Sequence, residues 1–220
     1  MRKTQVKIGF IGAGYVAKAL ATLAKEQGHE VMISNSRKPA TLFATIYTLG
    51  VSGGTAEEAA RFGDIVVLAT PITAAGEIPV EPLEGKIVLD AQNYYPLRDG
   101  RIETFDRNET TTSELVARHL PKSRLVKAFS AITAADMTAD ALPTGSGDRR
   151  ALPIAGDDED AKKVVTEIHD AFGFDVVDAG PLSEGWRFEP ETPTYCIRMG
   201  AEQLKAGLAA TERLDVGKRQ

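Results

Sequence analysis

Gly12, Gly14 and Ala17 stand at the spacing G-x-G-x-x-A within Gly12-Ala13-Gly14-Tyr15-Val16-Ala17. The run follows the β-branched stretch Val6-Lys7-Ile8-Gly9-Phe10-Ile11 and opens an alanine- and leucine-rich stretch over 15–27. Gly12 permits a tight turn, Gly14 lets a pyrophosphate approach the backbone, and Ala17 lets the helix pack closely on the sheet. Ala13, Tyr15 and Val16 complete the loop, where the helix start offers free amides and the positive end of its dipole. Glycine patterns of this length arise by chance. Here strand, turn and helix follow in the order that a dinucleotide site requires, so a dinucleotide is the expected ligand.

The end of the next strand selects which one. Chains that bind NAD usually place Asp or Glu about 20 residues past the glycines, on the ribose 2′-hydroxyl. This chain carries Ser34-Asn35-Ser36-Arg37-Lys38 there, with no acid. A carboxylate would repel a 2′-phosphate, whereas Ser36 can donate to it, Arg37 can clamp it and Lys38 can add charge. The plainer alternative is a solvated Arg37–Lys38 pair opening a helix, but cations there oppose the macrodipole. NADP(H) is the expected cofactor.

Short β-branched runs alternate with amphipathic segments along the chain, which predicts a parallel sheet with crossover helices. Strands are expected over 6–11, 30–34, near 51, 64–69, 86–90 and 124–129. Helices are expected over 15–27, 40–49, 56–61 and 113–119. The fold class is therefore α/β, a Rossmann-type doubly wound sheet, with a dinucleotide domain over 1–132. Beyond it, strands over 152–155 and 175–178 flank a helix over 158–172 that Asp157 or Asp158 can cap. A last helix over 195–211 completes an extension over 133–220. The weakly periodic stretch 91–112 leaves the carboxyl end of a strand, the edge where open α/β sheets bind ligands, and is expected to form part of the active-site rim.

Composition narrows the function. Asp and Glu number 31 against 26 Lys and Arg, a net charge of −5, which argues against a nucleic-acid or anionic-lipid partner. The single cysteine, Cys196, allows no internal disulfide and no cysteine metal cage, and is read as a small apolar residue in the last helix. His29, His119 and His169 show no metal spacing, so no metal is expected. No stretch reads as a signal peptide or membrane span, and a cytoplasmic location without membrane contact is expected.

Five segments in order, Ile8-Gly9-Phe10-Ile11-Gly12-Ala13-Gly14, Asn35-Ser36-Arg37, Asp64-Ile65-Val66-Val67-Leu68-Ala69-Thr70-Pro71, Gly85-Lys86-Ile87-Val88-Leu89-Asp90-Ala91 and Val126-Lys127-Ala128-Phe129, give the chain a family likeness. It resembles the coenzyme F-420-dependent NADP oxidoreductases (8-hydroxy-5-deazaflavin:NADPH reductases) and their bacterial relatives, over nearly its whole length. The resemblance implies hydride transfer between NADP(H) and a deazaflavin stacked on the nicotinamide. It implies that Thr70 and Pro71 border the nicotinamide, with Ala91 counted in the same site. Ser130 and Ala131 stand where many relatives carry Asn-Thr.

Hydride transfer between stacked rings needs proximity and a water-poor pocket more than an acid–base pair. A carbonyl or imine reductase would also need a proton donor; the candidates are Tyr94, Tyr95 and Lys127, whose alternatives are rim aromatics and a solvent-facing strand lysine. Arg98, Arg101, Arg149, Arg150, Arg187 and Arg198 could line a polyanionic acceptor tail, or serve singly as surface charges. Trp186-Arg187-Phe188 could cover a ring or bury a dimer contact, and a homodimer is expected. The function expected is an NADP-dependent oxidoreductase acting on a deazaflavin or flavin-type small-molecule acceptor. The alternatives are a small carbonyl or imine substrate, and a non-catalytic NADP(H) sensor.

Overall fold

The structure, a computed structural model, describes residues 5–214. Strand β1 (Lys7–Ile11) leads into helix α1 (Tyr15–Glu26) and strand β2 (Glu30–Ser34). A 3-10 turn, Pro39–Leu42, precedes α2 (Phe43–Leu49) and the short β3 (Ser52–Gly54). Helix α3 (Ala56–Phe62), β4 (Ile65–Leu68) and β5 (Ile87–Asp90) follow. The stretch 91–112 is not structureless: it holds two single-turn helices, α4 (Pro96–Asp99) and α5 (Glu103–Asp106). Then come α6 (Thr112–His119), β6 (Arg124–Lys127), α7 (Ala134–Ala139), β7 (Ala151–Gly156), α8 (Glu159–Phe172), β8 (Asp175–Asp178) and α9 (Ala201–Ala210).

The strands form one sheet in the order β3-β2-β1-β4-β5-β6-β7-β8, so the α/β class expected from the sequence holds. All neighbours are parallel except β6 and β7, where Val126 pairs with Gly156 and Lys127 with Ala155 in opposite senses. The sheet thus runs on past residue 132 without a break. Strand order reverses between β1 and β4, the switch point where such sheets open a crevice at their carboxyl ends. Helices cover both faces, which is why β4 and β5 read as continuous apolar runs.

Alternation sorts side chains by face. Leu89, Ala91, Val126 and Ala128 share a core with α1 and α8. Val66, Leu68, Val88 and Leu125 share the other with α3 and α6. Of the two candidate caps for α8, Asp158 accepts from the Ala161 amide at 2.9 Å, while Asp157 accepts from the Leu182 amide at 3.0 Å. Hydrogen bonding from Arg124 holds the Asp158 carboxyl well below the usual carboxylate range.

The last helix starts later than expected, at Ala201 rather than near 195. The Met199 carbonyl accepts the Ala151 amide at 2.8 Å, so this backbone is committed to the β7 edge instead of a helical turn. Cys196 therefore lies outside any helix, with φ 56°. Among the described residues no helix is long and apolar enough to cross a membrane.

His169 is fully buried and stacks on Phe129, ring centroids 3.8 Å apart and 3° from parallel. Its Nδ1 lies 2.7 Å from the Val165 carbonyl. Burial pushes its pKa down to about 4, against an ordinary 6.5. Between those values the unfolded chain binds a proton that the folded chain refuses, so stability falls as pH drops through that window. The loss is expected to total about 3 kcal/mol, read as urea midpoints at pH 7, 5.5 and 4.5. His169→Phe keeps a ring on Phe129 without the titration and should flatten that limb. An unchanged slope in the variant would assign the acid sensitivity to other groups.

Candidate active site

Two concavities lie along the carboxyl edge of the sheet. The larger, about 610 Å³, is lined by Gly12, Ala13 and Gly14, by Asn35, Ser36 and Arg37, and by Thr70 and Pro71 after β4. Nine cofactor residues were expected from the glycine turn to Lys38, and two of them fall outside this lining and the next pocket. Tyr15 stands 85% exposed, and Lys38 turns into the start of the 3-10 segment with extended backbone. Val16 and Ala91 line the second concavity instead.

The turn is built for a ligand. Gly12 adopts φ +120°, and a Cβ there would meet the Ala69 carbonyl oxygen at 2.3 Å, so glycine is required for the fold itself. Its amide donates to the Ser34 carbonyl at 3.1 Å, which ties the turn to the end of β2. Gly14 is different: its backbone is ordinary, φ −74°, and a Cβ would meet nothing within 4 Å. The space in front of it belongs to whatever docks there. As N-cap of α1 it offers no side-chain cap, and no acid stands in the first turn, which leaves the helix amides free for an anion. A pyrophosphate fits this cradle.

Gly14→Ala separates ligand from packing. The methyl enters open space, so the melting temperature should stay unchanged, while the Kd for NADPH should rise about tenfold from overpacking against the bound phosphates. A loss of stability with unchanged affinity would sink the cradle assignment.

At the end of β2 the side chain of Asn35 organises the loop. Its Oδ1 accepts the Arg37 amide at 3.0 Å and its Nδ2 donates to Thr41 Oγ1 at 3.0 Å. Asn35 thus works through the loop, and Ser36 and Arg37 are presented at the cleft, both exposed. Lys18, one turn into α1, lines the same cleft. It went unnoticed in the sequence, although its spacing from Gly14 on a helix was the available signal. Thr70 Oγ1 accepts from Gln92 Nε2 at 2.8 Å, which fixes the β4 loop to β5.

The second concavity, about 210 Å³, lies at the ends of β5 and β6. Val16, Ala91, Phe129 and Ile132 give it apolar walls, and Asn93, Ser130, Tyr95 and Tyr195 supply polar atoms. The hydroxyls of Tyr95 and Tyr195 are hydrogen-bonded to each other, and the Arg98 guanidinium sits 4.7 Å from the Tyr95 ring centroid. Burial, reinforced by that bond, pushes the Tyr195 pKa far above the usual tyrosine range. Burial also raises the Cys196 thiol. Cys196 lines this pocket rather than a helix core.

Of the three candidate acids read from the sequence, Tyr95 lines this pocket, and Tyr94 and Lys127 do not. Tyr94 is buried on the opposite face, its ring 5.0 Å from that of Phe105. Its hydroxyl donates to Asp106 and accepts the Ile102 amide, and burial raises its pKa. Lys127 is not solvent-facing: it is fully buried on the same face as Leu125, its Nζ donating to Thr112 Oγ1 at 2.7 Å. Nor do the arginines form a basic lining. Arg149 pairs with Asp170 and Asp175, Arg150 with Asp136 and Asp140, Arg198 with Asp148. Arg98, Arg101 and Arg187 pair with Asp99, Asp106 and Glu184. Each is neutralised by an acid of this chain. Phe188 is core, while Trp186 lies between Arg187 and Arg213. Among the described residues no three His, Cys, Asp or Glu side chains gather as a metal site.

A doubly wound sheet with this glycine turn, and with serine and arginine in place of the acid at β2, is the arrangement expected of an NADP-binding domain. Residues 7–94 match the family described as NADP oxidoreductase, coenzyme F420-dependent, so the resemblance read in the sequence holds over that stretch. Over 192 residues the chain is 29% identical to the metalloreductase STEAP3 of Rattus norvegicus, covering 85% of this chain. The chain spans only 36% of that protein's length. A solved structure of the hypothetical protein SMa0349 from Sinorhizobium meliloti superposes with TM-score 0.76 at 28% identity, covering 89% of this chain and 95% of the other. A proposed F420-dependent NADP-reductase from Arthrobacter sp. FB24 gives 0.70 at 26%, covering 82% and 87%.

Proposed function

We propose that the protein transfers a hydride between NADP(H) and a small-molecule acceptor of the deazaflavin or flavin type. One observation carries this reading: a phosphate cleft that ends in Ser36 and Arg37 on one side has a ring-sized, largely apolar pocket on the other, along the same sheet edge. The names of the matching family and of the Arthrobacter relative support the deazaflavin. When bound, the nicotinamide supplies or receives the hydride. The chain's residues bind and orient: the amides of α1 take the pyrophosphate, Arg37 takes the 2′-phosphate, and Val16, Ala91 and Ile132 seat the ring away from water. Residues 133–220 contribute Thr133, Ala134, Tyr195 and Cys196 to the pocket wall. A homodimer belongs to the same proposal; light scattering should return twice 23.6 kDa.

A second reading rests on Tyr95 and Tyr195. A phenol that keeps its proton beside the ring pocket can protonate the oxygen or nitrogen of a small carbonyl or imine as hydride arrives at carbon. Anaerobic incubation with NADPH and, separately, a deazaflavin, FMN, FAD, and small carbonyl and imine compounds discriminates the two. Rapid NADPH oxidation by the deazaflavin alone is expected. Oxidation by a carbonyl compound, abolished in Tyr195→Phe, would replace that acceptor; no oxidation by any of them would leave a binding protein.

A further inference from the structure

No charged side chain lines the 210 Å³ pocket. Its surroundings are apolar too. Tyr15 precedes the lining residue Val16, Ile197 follows Cys196, and Leu97 stands two residues beyond Tyr95, so the Cα of each lies within about 8 Å of that of a lining residue. All three face water, Tyr15 85% exposed, Leu97 95% and Ile197 53%. Exposed apolar side chains gathered from three distant segments mark a surface that an apolar ligand covers. The cations beside this collar are already paired. Arg98, next to Leu97, holds the two oxygens of Asp99 at 2.7 and 2.8 Å and donates to the Asn93 carbonyl at 2.9 Å. The Asp99 side chain is 1% exposed, so releasing Arg98 to a ligand would strand a buried carboxylate. Arg198, next to Ile197, holds the two oxygens of Asp148 at 3.2 and 3.0 Å. Lys18 and Arg37 line the other cleft, where the phosphates of NADP(H) take them. A second polyanion would gain no counter-charge from the described residues of the collar, and it would meet the repulsion of those phosphates.

We infer that the acceptor is a ring with an uncharged substituent, held at the collar of Tyr15, Leu97 and Ile197 by apolar contact, and that a phosphate- or carboxylate-bearing tail is not recognised. This rests on transfer to a ring of the deazaflavin or flavin type, as proposed above, and narrows the acceptor within that class. The fitting substrate is 8-hydroxy-5-deazariboflavin, which carries only hydroxyls on its side chain, rather than the phosphate- and glutamate-tailed coenzyme F-420 built on the same ring.

The test is calorimetric binding of these two compounds to protein saturated with NADP⁺, at about 20 and about 500 mM NaCl. The untailed ring should bind at least as tightly as the tailed one, with a Kd that salt changes by less than about twofold. Tighter binding of the tailed form at low salt would overturn the inference and leave hydride transfer to a deazaflavin standing. Leu97→Ser combined with Ile197→Ser should weaken the untailed ring about fivefold. The melting temperature and the Kd for NADP⁺ should hold in that variant, because both side chains face water and neither lines the phosphate cleft. Unchanged affinity for the untailed ring there would also overturn the inference. If NADP⁺ binds while neither ring binds or oxidises NADPH, the acceptor class proposed above falls, and this inference with it.

Discussion

Arg37→Ala is expected to raise the Kd for NADPH by roughly ten- to a hundredfold and to change that for NADH by less than about twofold. Arg37 is exposed, lines the phosphate cleft, and among the described residues its guanidinium makes no ion pair. Its cost to the fold is correspondingly small, since the loop is held by Asn35 and Thr41 rather than by the guanidinium. A charge-assisted bond to a phosphate is worth about 1.5–3 kcal/mol, which sets the range. Ser36→Asp is the complementary change: a carboxylate beside the 2′-position repels the phosphate and accepts from a ribose hydroxyl, so NADPH should weaken further while NADH strengthens. Equilibrium binding of both nucleotides to both variants measures this. Equal losses for NADPH and NADH in Arg37→Ala would remove the 2′-phosphate assignment.

What the sequence revealed and what it hid follow from the distance over which each part is assembled. Gly12, Gly14, Ser36 and Arg37 lie in one βαβ unit, so turn chemistry and strand length suffice to bring them together. The inner pocket joins Val16, Asn93, Ser130 and Tyr195, from four separate parts of the chain, and no local pattern announces it. The periodicity of 201–210 extends back over Cys196 in the sequence, but the Met199 carbonyl is taken by the Ala151 amide of β7, and the helix starts only at Ala201. The sequence leaves the arginines open between an anion lining and single surface charges, because their partners, such as Asp136 and Asp170, come from other elements. Lys127 was open to a better reading. Strand alternation puts it with Leu125 and opposite Val126 and Ala128, hence on the face away from Ala91 and the ring pocket.

That placement makes Lys127 a residue of stability. Its Nζ donates to Thr112 Oγ1, whose hydroxyl donates to Glu189 Oε1 at 2.8 Å, and Nζ itself lies 3.8 Å from that carboxylate. Asp90, fully buried nearby, accepts from Ser113 at 2.6 Å and from the Gln92 amide at 3.0 Å. Burial pushes the Asp90 pKa up, and the ammonium of Lys127 is the chief influence drawing it back. One cation therefore stands against two buried carboxylates. Lys127→Met fills the space but leaves both acids without a counter-charge, a loss of about 3–5 kcal/mol. In a chain of this size that lowers the melting temperature by roughly 6–20 °C. Adding Asp90→Asn and Glu189→Gln to Lys127→Met removes the stranded charge and should restore much of the loss, because a neutral buried cluster escapes the desolvation cost. NADPH affinity should hold in the folded fraction of both variants, since Lys127, Asp90 and Glu189 line neither the cleft nor the ring pocket. A Lys127→Met protein that melts like wild type yet fails to turn over NADPH would return Lys127 to the reaction.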